Sequence, residues 1–287
     1  MNRLSIQKRA QIVGMMVEGV SLRAISRMTG ASKNTLAKLL VDVGTGCAEY
    51  HDKHVRNLPC KRVQVDEIWS FVGMKQRNVP EELKGEFGVG DVYTWTALCA
   101  DTKIIAGYRV DRRDDEAAYS FISDLAARLS NHIQLSSDGH HAYLQAVERV
   151  FGGEVDYAML MKVYGHFPGR DDQRRYSPPE CIGSEKRRIA GNPDVKHIST
   201  SFVERQNFSM RMGIRRFTRL TNAFSKKVEN HAHAVAIYFM HYNYGRIHQT
   251  LRVTPAMEAG IADHVWSLEE IAGLADQTEK SAIAHEN

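Results

Sequence analysis

Three acids stand where a carboxylate needs a reason. Asp66 lies at the centre of "RVQVDEIWSFV", residues 62 to 72, in which Val63, Val65, Ile68, Trp69, Phe71 and Val72 all favour a pleated, half-buried strand. An ionised carboxylate among such neighbours calls for an ion pair, hydrogen bonds or a metal. Asp138 sits in "IQLSSDGHHAY", where a strand ends and Gly139 lets the chain turn before a helix. The carboxyl ends of strands in open α/β sheets are the usual places for ligands. Glu204 borders the helical stripe of Val203, Met210, Ile214 and Phe217, with Asn207, Phe208 and Arg211 at the following three, four and seven positions. Each acid has a bland explanation by itself. Asp66 and Glu67 point to opposite faces of a strand, so one of them can be exposed. Asp138 fits an Asp-Gly turn bonded to its own backbone, and Glu204 an acid that complements a helix dipole. Together they make sense as one oxygen donor set for two Mg²⁺ ions shared with substrate phosphate. Such a metal pair relieves repulsion between clustered carboxylates and serves phosphoryl chemistry, activating an attacking oxygen and stabilising the leaving one.

Other reactive residue types fit less well. Asp101 belongs to a hairpin turn, and Asp114, Asp115 and Glu116 start a helix, where acids are favoured anyway. His140 and His141 flank Asp138 but cannot both face one ion from a regular helix. His231, His233 and His241 are expected on the solvated side of a helix. No H-E-x-x-H, Walker loop or G-x-S-x-G occurs. Cys47, Cys60, Cys99 and Cys181 are scattered without a C-x-x-C pair, which argues against a disulfide framework or a sulfur-rich zinc site and fits a reducing cytosol.

The elements that position the acids read as an α/β domain. Residues 62 to 72, "VYTWTALCAD" and "KIIAGYRVD", with a turn at Asp101-Thr102-Lys103, are expected as three antiparallel strands. An amphipathic helix over residues 114 to 129 follows, then the strand "IQLSSDG", the helix "HAYLQAVERVF" and the strand "VDYAMLMKVYG". Three strands, helix, strand, helix, strand is a ribonuclease-H-like order. Residues 165 to 196, rich in Pro, Gly and charge, read as an insertion or long functional loop. Helical periodicity resumes near Ser201 and from Ser225 to Tyr244, Thr254-Pro255 reads as a helix start, and a short acidic tail helix begins near Ser267.

Ahead of this domain, residues 5 to 43 divide into three short helices. Ile6, Ala10, Val13 and Val17 form the first stripe. Ser21 caps a second that buries Leu22, Ile25 and Met28 and ends at Gly30, and Ser32 opens a third that buries Leu36, Leu39 and Leu40. That is a helix-turn-helix pattern, whose third helix would present Lys33, Asn34, Thr35 and Lys38 to a DNA major groove; the alternative is a plain three-helix bundle. The expected division is therefore an all-α helix-turn-helix domain at 1–45, a linker at 46–61, a catalytic domain at 62–250 and a helical tail at 251–287.

Net charge is only +4 over 287 residues, but its distribution is uneven. Residues 1 to 62 hold 11 Lys/Arg against 4 Asp/Glu, and residues 253 to 287 hold one Lys against 7 acids. A second basic stretch, "ERQNFSMRMGIRRFTRLTNAFSKK", has 7 Lys/Arg against Glu204. Such clusters are expected where phosphate is contacted, a solvated surface being the alternative. The longest apolar run, Ala234 to Met240, is too short to cross a bilayer, so a soluble intracellular protein is expected.

"VDEIWSFV", "DGHHAY" and "STSFVERQNFSMRMGIRRFTRLTNAFSKK" resemble the DDE transposases of bacterial insertion sequences, most closely the insertion sequence one family. The resemblance extends to "HYNYGRIHQTLRVTPAMEAG" and covers nearly the whole chain. It implies that Asp66, Asp138 and Glu204 are the catalytic, metal-binding triad, served by two Mg²⁺ or Mn²⁺ ions and no small-molecule cofactor. Arg211 matches a basic position of such enzymes and Asn207 has a supporting role. Arg205, Arg211, Arg215, Arg216 and Arg219 would line backbone phosphates near the active site. The implied activity is binding of the element's inverted repeats, cleavage there and strand transfer into target DNA, by a dimer or larger assembly associated with the nucleoid in the cytoplasm. Two departures stand out: no cysteine zinc finger precedes the helix-turn-helix, and Asp138 and Glu204 are widely separated. Rival readings are a ribonuclease-H-like nuclease that never transfers strands, and a helix-turn-helix regulator with a non-catalytic larger domain.

Overall fold

The computed structural model describes residues 4–165, 181–218 and 222–285, with side chains described as far as Gln277. The apolar run around Asp66 forms β1 (Arg62–Val72), which pairs antiparallel with β2 (Gly90–Cys99), itself antiparallel to β3 (Ile105–Asp111). On its other side β1 runs parallel to β4 (Gln134–Ser137), and β4 parallel to β5 (Asp156–Tyr164). Parallel neighbours need crossover connections. These are supplied by α4 (Asp115–Ala126), in the segment before β4, and by α5 (Ala142–Phe151), between β4 and β5. Asp114 caps α4 through its side chain, so the acids at this point start a helix as expected.

Helices α6 (Ser201–Gly213) and α7 (Val228–Met240) cover the other face, where Ile68, Leu98 and Ile105 pack with Val203, Met210, Val235 and Phe239. With both faces covered, Thr94 through Cys99 are all buried and the alternation of a half-exposed strand is lost. The result is a mixed α/β structure whose six-stranded sheet has the order β3-β2-β1-β4-β5-β6.

The sixth strand, β6 (Cys181–Ala190), corrects the expectation for residues 165–196: part of that segment pairs antiparallel with β5. Its residues 181–189 are exposed and carry Glu185, Lys186, Arg187 and Arg188, the charges that protect an edge strand, so it shows no apolar alternation. Residues 166–180 lie outside the described residues.

Helices α1 (Ile6–Val17), α2 (Leu22–Thr29) and α3 (Lys33–His54) are capped by the side chains of Ser5, Ser21 and Ser32, and α2 ends at Gly30 with φ 72°. Met28, expected inside, is 64% exposed. Up to His54 the stretch expected as a linker is instead the second half of α3. Its glycines serve close crossings: a Cβ on Gly44 would lie 2.4 Å from His233 Cβ of α7, and one on Gly46 2.7 Å from the Leu274 carbonyl carbon. Leu274 belongs to α9 (Leu268–His285), which follows the short α8 (Pro255–Glu258) and opens with a capping box, Glu270 N donating to Ser267 Oγ and Ser267 N to Glu270 Oε2. The acidic tail docks on the basic front: Arg9 donates from both terminal nitrogens to Asp276, at 2.7 and 2.9 Å. One apolar cluster runs from Ile12 and Leu36 through Trp95 and Tyr143 to Ile271.

The C-terminal end of α3 is tied to α4 by Arg128, whose side chain is 6% exposed. It donates to the Val55 carbonyl at 3.1 Å, to Asp52 at 2.9 Å and to both oxygens of Asp124 at 2.7 and 2.9 Å. Last-turn carbonyls have no partner within their own helix, so the guanidinium completes it. Arg128→Ala is expected to lower stability by about 2 kcal/mol, since its acidic partners retain access to water but the buried carbonyl does not. Urea denaturation reads this directly. A loss under about 0.5 kcal/mol would mean that solvent replaces the clamp.

His231, expected on a solvated helix side, is wholly buried, bonded through Nε2 to Ser70 Oγ and through Nδ1 to Ser225 Oγ; His233 and His241 are half-buried. Among the described residues no helix is long and apolar enough to cross a membrane.

Candidate active site

Asp66 and Asp138 lie on adjacent strands because β1 and β4 are parallel neighbours. Gln64 pairs with Ser136, and continuing that register by two residues brings Asp138 level with Asp66 on strands about 5 Å apart. Asp138 sits just past the end of β4, where its Oδ1 accepts from His140 N at 2.9 Å. Glu204 arrives on α6, whose position over β1 is set by Gln64. This buried amide oxygen accepts from Phe202 N and Val203 N at 2.9 and 3.2 Å, satisfying two otherwise orphaned donors at the helix start. Gln64 and Asp66 lie on the same face of β1, so the side chain that anchors α6 also registers Asn207 and Glu204 against Asp66.

Asn207 Nδ2 donates to Asp66 Oδ2 at 2.8 Å, and Glu67 N donates to Asp66 Oδ1 at 2.9 Å. These bonds do not settle the charge. Burial, and then the negative charges of Glu67, Asp138 and Glu204, push the Asp66 carboxyl up to about 7. The expectation that one of Asp66 and Glu67 can be exposed is corrected: the Glu67 side chain is 2% exposed, because α5 covers the opposite face. Its oxygens accept from Arg113 Nε at 2.6 Å and from Tyr143 OH at 2.9 Å. Burial and Asp138 raise the Glu67 carboxyl, while Arg113 and Tyr143 pull it back. Sequence reading missed this network, since nothing near Arg113 or Tyr143 in the chain points to an acid some 46 to 76 residues earlier.

Lys162 of β5 was also missed. Its Nζ donates to Glu204 Oε2, while Thr200 Oγ1 donates to Glu204 Oε1. Burial opposes the Lys162 ammonium, but the hydrogen bond and charge of Glu204 outweigh it and hold its pKa above the ordinary lysine range.

The carboxylates are hard oxygen donors, the type Mg²⁺ and Mn²⁺ take, and Asp66 carries a repulsion that a cation relieves. Asn207 adds a buried Oδ1 with no hydrogen-bond partner among the described residues. Among the described residues, however, no three His, Cys, Asp or Glu side chains converge tightly enough to hold an ion as they stand. Glu204 is turned to Lys162. The donor types suit a divalent ion, but the Glu204 carboxylate is held by Lys162 and Thr200 and not by a shared site with the other two acids. Lys162→Met is expected to tighten divalent-ion binding about two- to fivefold by removing a partly exposed competing pair. Terbium luminescence titration measures it, and unchanged affinity would show that Lys162 does not compete.

The candidate DNA-contacting residues fall into two groups. Lys33, Asn34 and Thr35 are exposed in the first turn of α3, with Thr35 bonded to the Ser32 cap, and Lys38 pairs with Asp42. On α6, Arg205 is exposed beside the Phe208 ring and Arg211 is half-buried. Arg215 and Arg216 lie beyond α6 and line a separate cleft towards the Val72 end of β1; Arg219 lies outside the described residues.

No family model and no curated protein matches this sequence. Among solved structures, a piggyBac transposase determined by cryo-EM as a synaptic complex with hairpin DNA is similar at 11% identity and a TM-score of 0.39, over 94% of this chain and 69% of that chain.

Proposed function

We propose that this protein is a divalent-metal-dependent DNA transposase of the DDE type with a ribonuclease-H-like catalytic core. The single observation that carries the reading is the setting of Asp66: a half-buried carboxyl on the central strand, bonded to Asn207 of the helix that bears Glu204 and level with Asp138 of the neighbouring strand, residues 138 and 72 positions further along the chain. The sheet supports it too, since β3-β2-β1-β4-β5, three strands antiparallel and the rest parallel to β1, is the order expected of a ribonuclease-H-like core, with β6 added at the edge.

In this reading Asp66, Asp138 and Glu204 hold the Mg²⁺ or Mn²⁺ ions, which when bound activate the attacking oxygen and stabilise the leaving one. Asn207 fixes the rotamer of Asp66, and Gln64 keeps α6 in register. Lys162, released from Glu204, provides a cation for the scissile phosphate. Water attacks the phosphodiester at phosphorus and the bond to the 3′ oxygen breaks; the freed 3′-hydroxyl then attacks phosphorus in a target phosphodiester, and the target's own 3′ oxygen leaves. Exposed Lys33, Asn34 and Thr35 on α3 are available to read the element's ends, and Arg205 and Arg211 to hold backbone phosphates. Joining two ends in one event calls for two or more copies on DNA.

The test is a cleavage and strand-transfer assay on duplexes bearing the inverted repeats that flank the coding sequence, with Mg²⁺ or Mn²⁺ against EDTA. Transposase activity gives metal-dependent 3′-hydroxyl ends and joined products, both lost in Asp138→Asn and Glu204→Gln. Cleavage without joining would leave a nuclease. DNA binding with no cleavage under any metal would leave the regulator reading.

A further inference from the structure

A basic surface away from the carboxylates has a different construction. Between the start of α2 and residues 214–216 and 222–226 lies a cleft of about 790 Å³. Arg23, Arg215, Arg216 and Lys226 line it with the amides of Asn222 and Asn230, and no acid is among its described lining residues. The cations come from two walls far apart in sequence.

Arg216 is the most telling of them. Its Nη1 donates to Ser225 Oγ at 2.6 Å, and no carboxylate pairs with it among the described residues. Burial alone draws its pKa down to about 10, whereas an acidic partner would raise it. Ser225 is held in turn by His231, which burial keeps neutral, and by the backbone just past β1, where Gly73 N donates to Ser225 O at 2.8 Å. A half-buried guanidinium with a hydroxyl as its partner leaves donors for an anion arriving from outside, and it is held rigidly enough to receive one. The cleft is larger than a single phosphate group needs, and Phe224 and Ile214 add apolar wall between the cations.

We infer that this cleft binds the phosphodiester backbone of DNA, at a second place about 20 Å along β1 from Asp66. A duplex or strand seated there lies between the α1–α2 pair and α7, so the site grips DNA flanking the cut and not the scissile phosphate itself. The inference rests on the DNA-binding part of the proposed function and on none of its catalytic steps.

The experiment is fluorescence anisotropy of the full-length protein on a labelled random-sequence duplex at several salt concentrations. Arg23 and Lys226 are both exposed, so their removal should leave the fold intact. Arg23→Ala combined with Lys226→Ala is expected to flatten the slope of log K against log salt by about 1.8, and Arg216→Gln by about 0.9, with folding checked by circular dichroism. A control pair of exposed cations elsewhere, Lys53→Ala with Lys84→Ala, leaves the slope unchanged. If the wild type binds duplex and the Arg23/Lys226 pair keeps its slope, the inference falls while the proposed function stands. If the wild type binds no duplex, both fall. If millimolar inorganic phosphate binds in a manner dependent on Arg23 and Lys226 while the duplex slope is unmoved, the cleft is a free-phosphate site and the inference is overturned.

Discussion

Asp66→Asn is expected to lower metal-dependent strand cleavage on the order of 10³-fold while making the metal-free protein more stable above neutral pH. The first effect follows, on the proposed function, from removing one anionic donor from a site whose ions would supply several kcal/mol of transition-state stabilisation. The second follows from the environment of the carboxyl. Its folded pKa stands at about 7, well above the unfolded value near 3.8, so between these limits the folded protein keeps a proton that the unfolded chain has released. Stability contributed by this group is thus present in full below pH 4, declines as the pH rises to about 7, and is flat above that. The full span amounts to about 4 kcal/mol at most. Asn keeps an oxygen for Asn207 Nδ2, gives up the acceptor of Glu67 N, and has no charge to lose, so the variant should lack this decline. Urea titrations in EDTA at pH 5 and pH 8 make the comparison. Mg²⁺ should stabilise the parent at pH 8 and leave the variant unmoved, because only binding to the folded state shifts the equilibrium. A variant that is less stable than the parent at pH 8, or that cleaves normally, would remove Asp66 from the centre of the site.

Gly44 carries a large expected effect on folding. In an exposed helix, glycine is about 1 kcal/mol worse than alanine, so propensity alone has Gly44→Ala stabilising. The crossing of α3 with α7 reverses the sign: a Cβ there would sit 2.4 Å from His233 Cβ and 2.8 Å from its Cα, and backbone cannot rotate away. Gly44→Ala is expected to lose about 2 kcal/mol and Gly44→Leu at least about 3 kcal/mol, a large part of the stability of an ordinary domain. Gly273 of α9 is the matched control. Among the described residues no atom beyond its own helix backbone would lie within 4 Å of a Cβ there, so Gly273→Ala should gain about 0.5 to 1 kcal/mol. Thermal and urea unfolding of the variants separate the two cases. A stabilised Gly44→Ala would mean that α3 and α7 are not in contact in solution.

Much of the element order was legible because its signals are local. Ser21, Ser32, Asp114 and Thr254 cap helices as their types suggest, Gly30 ends one, and the strands around Asp66 and Asp138 have the expected bounds within a few residues. The same local logic failed where a glycine had two meanings. Gly46 opens the stretch expected as a linker and Gly44 stands just before it, yet both lie within a 22-residue helix whose partners, α7 and α9, follow much later in the chain. It failed again at β6, an edge strand whose charges hide its period, and at His231, whose polar type says nothing of the Ser70 and Ser225 hydroxyls that receive it.

By itself the sequence determined the kinds of elements, their order and which acids lie at strand and helix positions suited to metal chemistry, since periodicity, caps and turn residues act over a few neighbouring residues. Only the tertiary structure decided what those acids experience. Asp66 and Glu67 are adjacent and chemically alike, but one faces α6 and an amide while the other faces α5, an arginine and a tyrosine. The difference lies in what covers each side of β1. Packing between elements far apart in the chain sets it, through desolvation and charge that no local pattern encodes.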